Sequence, residues 1–187
     1  MKVFWGVSLL AISLGASSAW AESGLEEFRV GVAAHDLSDH SEDGPQITLE
    51  GLFASPDVLK WAYSPRPYLQ ASISTQGNTN WLASGLAWNW GVSERLDLEA
   101  SFGLSIHDGY LNIPDDDPQR AIYLKENRAL LGSRVLFRTS LGADYALNDQ
   151  WRVGVFWEHH SHGQILASGR NQGFDELGLR LGYRFGR

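Results

Sequence analysis

From Phe28 onward, apolar and polar positions alternate one for one along the chain. Phe28, Val30, Val32 and Ala34 fall on one side, and Arg29, Gly31, Ala33 and His35 on the other. This is the two-residue period of a strand with unlike faces. The pattern recurs over residues 47–54, 69–76, 82–90, 96–106, 131–145, 151–158 and 177–185. In the fifth segment Leu96, Leu98, Ala100, Phe102, Leu104 and Ile106 stand against Asp97, Glu99, Ser101, Gly103 and Ser105. In the sixth, Leu131, Val135, Phe137, Leu141, Ala143 and Tyr145 are placed opposite Gly132, Arg134, Arg138, Ser140, Gly142 and Asp144. The reading gives eight strands, several of them longer than the five or so residues usual in a soluble sheet.

An even count of long strands has a specific solution. The polar face is rich in Gly, Ser and opposite charges (Arg29, Glu50, Asp97, Glu99, Arg134, Arg138, Glu158, Arg180), as in a filled barrel interior, and the apolar face carries Trp, Tyr and Phe near strand ends, as in a lipid-facing band with aromatic girdles. A secreted soluble sandwich, burying its apolar faces and exposing the charged ones, is the alternative; the even count, a secretory leader and the closing Leu181-Gly182-Tyr183-Arg184-Phe185 favour the expected fold, an all-β, eight-stranded antiparallel up-and-down transmembrane barrel of the bacterial outer membrane. Eight strands enclose only side chains, so no diffusion pore is expected. With the amino terminus on the periplasmic side, residues 36–45, 76–80, 107–128 and 162–173 connect strands outside, and 55–66, 91–94 and 147–150 connect them inside. The 55–66 connection is long for an inner turn, and Leu59, Trp61 and Tyr63 are its candidates for the inner interface.

Composition fits this picture. The 187 residues are 43% hydrophobic and 12% aromatic, with 8 Trp. The mean hydropathy is nevertheless slightly polar at −0.23, because the apolar residues are spread over alternate positions. A net charge of −7 argues against nucleic acid as a partner, and the absence of cysteine excludes a disulfide framework or a thiolate metal site. Lys2, an apolar run from Val3 to Ala16 and the sequence Ala19-Trp20-Ala21 read as a secretory signal spanning residues 1–21, cleaved to leave 22–187 as a single barrel domain. Lys2 is the only charged residue in that leader, so the mature chain carries −8.

The chemistry collects at the outer end of the seventh strand. By parity with Trp151, Val153, Val155 and Trp157, His159 and Ser161 point toward lipid, while Glu158 and His160 point inward. Polar groups on a lipid-facing surface are costly and call for a reason. Across the last outer loop, Asp175 has the outward parity of Leu177, Leu179 and Leu181, and Glu176 points inward toward Arg180 or other interior charges. Ser, His and Asp on one outer patch are the constituents of an activated serine. His159, His160 and His162 lack a carboxylate to complete a ligand set, so no metal is expected. The residues alone leave open a non-enzymatic structural or adhesin-type barrel, or another lipid-acyl enzyme such as a phospholipase or acyltransferase.

The segments His159-His160-Ser161-His162-Gly163, Asn171-Gln172-Gly173-Phe174-Asp175 and Leu179-Arg180-Leu181-Gly182-Tyr183-Arg184-Phe185 together resemble the PagL family of outer-membrane lipid A 3-O-deacylases. Residues 131–138 and Ile106-His107-Asp108-Gly109 also look like segments of that family. The resemblance implies a serine esterase that removes the 3-hydroxyacyl chain at position 3 of lipid A. In it His159 matches the general base, Ser161 the nucleophile and Asp175 the acid, which is Glu in some members. It implies lipid A or lipopolysaccharide and outer-membrane lipid as partners, no cofactor, and leaves a homodimer open. After the serine the family usually has Asn, whose side chain helps bind the oxyanion. Here the residue is His162, so a ring nitrogen of His162 and backbone N–H groups near Gly163 are the expected donors, with Asn171 supporting the loop. Arg120 and Arg170 are rim cations within reach of substrate phosphates.

Overall fold

A computed structural model describes residues 24–185 of the chain. The expected leader, residues 1–21, lies outside the described residues. Strands β1 (Leu25–His35), β2 (Gly44–Phe53), β3 (Arg66–Ser74), β4 (Trp81–Gly91), β5 (Leu96–His107), β6 (Val135–Ala146), β7 (Trp151–Ser161) and β8 (Phe174–Arg184) pair in chain order, and β8 returns to β1 to close the barrel. Every pairing is antiparallel; at the closure Val30 lies opposite Leu181. Closure leaves no strand edge, which is what a strand-built protein needs in a solvent that cannot hydrogen-bond to backbone. The two faces divide as the alternation predicts. Val32, Leu104, Leu141, Val155 and Leu179 are exposed on the outer wall, whereas Arg29, Glu50, Gln70, Glu99, Arg138, Glu158 and Glu176 are buried inside.

The interior is filled in layers of paired charge. At the level of the chain termini, Arg29 donates to Glu27 at 2.7 Å, Glu50 at 2.9 Å and Glu99 at 2.9 Å. Arg180 lies beside it and donates to Asp144 through both Nε at 2.9 Å and Nη2 at 2.5 Å. In the middle layer Arg138 donates to Glu158 at 2.8 Å and Ser101 at 2.8 Å, and also to Gln70. Its guanidinium sits 4.8 Å from the centroid of the Tyr68 ring. A Cβ on Gly103 would stand only 2.5 Å from the Tyr68 hydroxyl, so the glycine opposite is what lets that ring lie across the lumen. In the third layer His35 Nδ1 meets Glu176 at 2.6 Å, Trp81 Nε1–H donates to the same carboxylate at 2.9 Å, and His160 Nδ1 meets Ser105 Oγ at 2.9 Å. Above it Ala129, Leu131, Leu136 and Phe174 form an apolar cap.

One expectation narrows and two change. Of the inward partners left open for Glu176, it meets the interior His35, together with Trp81, and not Arg180, because four residues along a strand separate Glu176 from Arg180 by roughly 13 Å and place them in different layers. The sixth strand starts at Val135 and not at Leu131, whose N–H instead donates to Tyr110 O at 2.9 Å and whose side chain is buried in the cap. Arg134, expected inside the barrel, turns its guanidinium onto the carbonyls of His107 at 2.7 Å and Gly109 at 3.0 Å at the barrel end. The long outer connection also holds a helix, α1 (Pro118–Asn127), which the alternation did not reveal. Asp117 caps it by accepting from the Arg120 N–H at 3.0 Å, and Pro118 occupies the first turn, where its missing N–H has no cost. The long inner connection contains a 3₁₀ turn, Asp57–Ala62, leaving Trp61 82% and Tyr63 89% exposed.

The interior network yields a stability prediction. Arg29→Met leaves Glu27, Glu50, Glu99 and Asp144 facing one another without their shared cation. The substitution is expected to destabilise the barrel by about 3–5 kcal/mol. Urea unfolding of the refolded chain in detergent measures this, and an unchanged midpoint would contradict it.

Candidate active site

β7 and β8 bring the outward polar residues together. Their register sets His159 opposite Asp175 and His160 opposite Phe174. On the outer face His159 Nδ1 meets Asp175 Oδ1 at 2.9 Å, with the His159 side chain 37% and the Asp175 side chain 17% exposed. Trp157, two residues back on the same face, lies nearly parallel to the imidazole with ring centroids 6.3 Å apart. On the inner face His160 stacks on Phe174 at 4.4 Å and packs at a tilt against Trp81, with ring centroids 4.5 Å apart. This inward packing locks the strand's rotation, so His159 and Ser161 are held outward by what their neighbour buries.

Ser161 closes β7, opposite Phe137 of β6. Among the described residues no hydrogen bond engages Ser161 Oγ, so the serine is placed beside the His159–Asp175 pair without being bonded to it. Gly173 links the two. Its φ is +70°, and a Cβ there would stand 2.8 Å from the His160 carbonyl, 3.5 Å from His159 Cε1 and 3.5 Å from Ser161 Cβ. The bare Cα of Gly173 therefore packs directly over the imidazole edge and the serine. With Nδ1 taken by Asp175, Nε2 is the imidazole nitrogen left for a proton from the serine.

The residues after the serine differ from the expectation. The His162 ring is wholly buried: Nε2–H donates to the Arg170 carbonyl at 2.7 Å, and Nδ1 accepts from the Gln164 N–H at 3.2 Å. Both nitrogens are committed to closing the 162–170 loop, so neither is available to an oxyanion. The cause is local. β7 ends at Ser161, and Gly163 at φ +62° turns the chain back, which carries His162 under the loop. The His162 N–H donates to Asn171 Oδ1 at 3.0 Å. Among the described residues nothing accepts from the two amide protons of Asn171, which lie on the same segment as the acid.

Two further residues, missed by alternation and signalled only as part of the family-like segment 171–175, shape the site: Gly173 and Gln172. Gln172 turns away from His159, accepting from the Leu130 N–H at 3.0 Å and donating to Ser41 Oγ at 2.8 Å. Among the described residues, no group of His, Asp and Glu is arranged to hold a metal ion.

The family model for lipid A 3-O-deacylase (PagL) matches residues 59–184, more than half of the chain and all of β7 and β8. The chain belongs to the PagL family. Among solved structures it is similar to the crystal structure of the outer membrane enzyme PagL, at 14% identity over 83% of this chain and 97% of that one, with a TM-score of 0.56. It is also similar to Neisserial surface protein A, at 10% identity over 85% of this chain and 96% of that one, with a TM-score of 0.53. At such identities these likenesses establish the eight-stranded fold. No curated protein sequence matches the chain significantly. Family and fold together make it a Gram-negative outer-membrane β-barrel protein.

Gly173 offers a test of how the PagL-family site is held. Gly173→Ala adds a Cβ against the His160 carbonyl at a left-handed position. The expected cost is about 1–3 kcal/mol, with displacement of Asp175 from His159. The nitrogen NMR signature of a hydrogen-bonded His159 Nδ1–H should be lost. A variant with wild-type stability and an unchanged imidazole signal would contradict this placement.

Proposed function

We propose that this barrel is a serine esterase that removes the ester-linked 3-hydroxyacyl chain at position 3 of lipid A, with Ser161 as nucleophile, His159 as general base and Asp175 as the acid that orients it. The observation that carries the reading is the 2.9 Å contact of His159 with Asp175 on the outward wall, on the same face as Ser161. Membership of the PagL family supports the substrate, and the lipid-facing position suits an ester at the headgroup boundary whose acyl chain stays in the membrane.

His159 Nε2 takes the Ser161 hydroxyl proton as Oγ attacks the ester carbonyl. Asp175 holds the tautomer and stabilises the imidazolium that forms. The tetrahedral oxyanion is met by the free amide protons of Asn171 and by backbone N–H groups around Gly163, taking over the role the sequence assigned to the His162 ring. Collapse breaks the ester bond, and His159 returns the proton to the sugar oxygen as it leaves. Water, deprotonated by His159, then attacks the acyl-serine and releases the 3-hydroxy fatty acid. No cofactor or metal enters these steps.

Mass spectrometry of lipid A from Gram-negative cells expressing the protein tests the proposal. The wild-type chain should remove one 3-hydroxyacyl group, and Ser161→Ala and His159→Asn should each reduce this by about a thousandfold or more. His162→Asn should slow the reaction, since it removes the ring that closes the loop. An unchanged lipid A profile with folded barrel in the outer membrane would reject the deacylase reading; loss of phospholipid acyl chains in its place would indicate a phospholipase.

A further inference from the structure

The acid-bearing segment 171–175 is held from outside the site. Gln172 spans from it to two other loops, through the Leu130 N–H at 3.0 Å and Ser41 Oγ at 2.8 Å. The loop that carries Ser41 also reaches Asp175 directly, because the Leu37 N–H donates to the Asp175 carbonyl at 3.1 Å. That loop is itself rigidly built. Asp36 accepts from the N–H groups of Ser41 at 2.7 Å and Glu42 at 2.9 Å. The buried Glu42 carboxylate then accepts from the Thr79 N–H at 2.8 Å and the Ala129 N–H at 3.2 Å. Burial penalises the Glu42 charge, but its contacts with His35 and Thr79 outweigh that and hold the carboxyl below its ordinary range. All four loops at this end of the barrel thus meet at Gln172 and Glu42. Only Gln172 belongs to the segment that carries the acid, between Asn171 and Gly173.

We infer that Gln172 is a positioning residue for the esterase reaction: it clamps segment 171–175 to the loops carrying Ser41 and Leu130, and so holds Asp175 on His159 and Asn171 on the His162 N–H, one residue past Ser161. The inference rests on the esterase reading above. Gln172 touches neither His159 nor the reacting atoms; it acts through Asp175 and Asn171. Without it the acid is less closely held, and the His159 imidazole is less well oriented to take the serine proton.

The test is steady-state kinetics on the full chain reconstituted with purified lipid A, comparing Gln172→Ala, Gln172→Glu, Ser41→Ala and Ser161→Ala. Gln172→Ala should lower kcat on the order of tenfold, as small misplacements in a preorganised site do, with KM little changed. The nitrogen NMR signal of a hydrogen-bonded His159 Nδ1–H should weaken in the same variant. Gln172→Glu keeps an acceptor for the Leu130 N–H and accepts the Ser41 hydroxyl proton, so it should recover most of the rate; Ser41→Ala should give a smaller loss than Gln172→Ala. A fall in rate that only follows the folded fraction, with an unchanged His159 Nδ1–H signal, would overturn the inference, as would wild-type kcat in Gln172→Ala while Ser161→Ala is inactive. Full activity in Ser161→Ala would instead reject the esterase reading on which it rests.

Discussion

The lumen of an eight-stranded barrel is too narrow for anything but side chains, and that constraint governs the rest of the molecule. Each polar group that the strands turn inward must find its partner within the protein. Arg29, Arg138 and Arg180 meet the need by drawing the buried acids into shared ion pairs, so no acid in those layers stands alone. These pairs also carry specificity of register. A slip of one residue would send Arg138 and Glu158 into lipid and Leu141 and Trp157 into the lumen. The register thus fixed is the one that sets His159 against Asp175 at the far end of β7 and β8.

The site follows from the same rule read on the opposite face. The outer wall is apolar because its solvent is hydrocarbon, and three polar side chains on it at one strand pair are an exception with a chemical meaning. Their placement depends on inward anchoring: His160 between Trp81 and Phe174 fixes the orientation of its neighbours His159 and Ser161. Above the membrane band, hydrogen-bonded loops take over from the ladder. His162, Asn171, Gln172 and Glu42 tie the end of β7, the start of β8 and the other loops into one cap.

Strand count, closure and the outward sense of His159, Ser161 and Asp175 were legible in the alternation, because a period of two is enforced at every residue between lipid and lumen. What was not legible lies where that enforcement ends. Leu131 and Arg134 continue the alternation of β6 on paper, but beyond Val135 the chain leaves the ladder to cap the barrel. His162 has no strand to orient it once Gly163 turns the chain, so its ring serves the loop. Glu176 was placed on the correct face, yet its partner depends on height in the lumen, which parity does not encode. The helix α1 had a visible start in Asp117-Pro118, a capping signal easily passed over in a chain read for strands.

A nucleophile activated by His159 on the lipid-facing wall should react with a long-chain alkyl fluorophosphonate, and peptide mass spectrometry of the reconstituted barrel reads out where. A single phosphonyl adduct on Ser161, lost in His159→Asn, is expected. A folded barrel that takes up no adduct, or takes it up at another residue, would rule out Ser161 as the activated nucleophile.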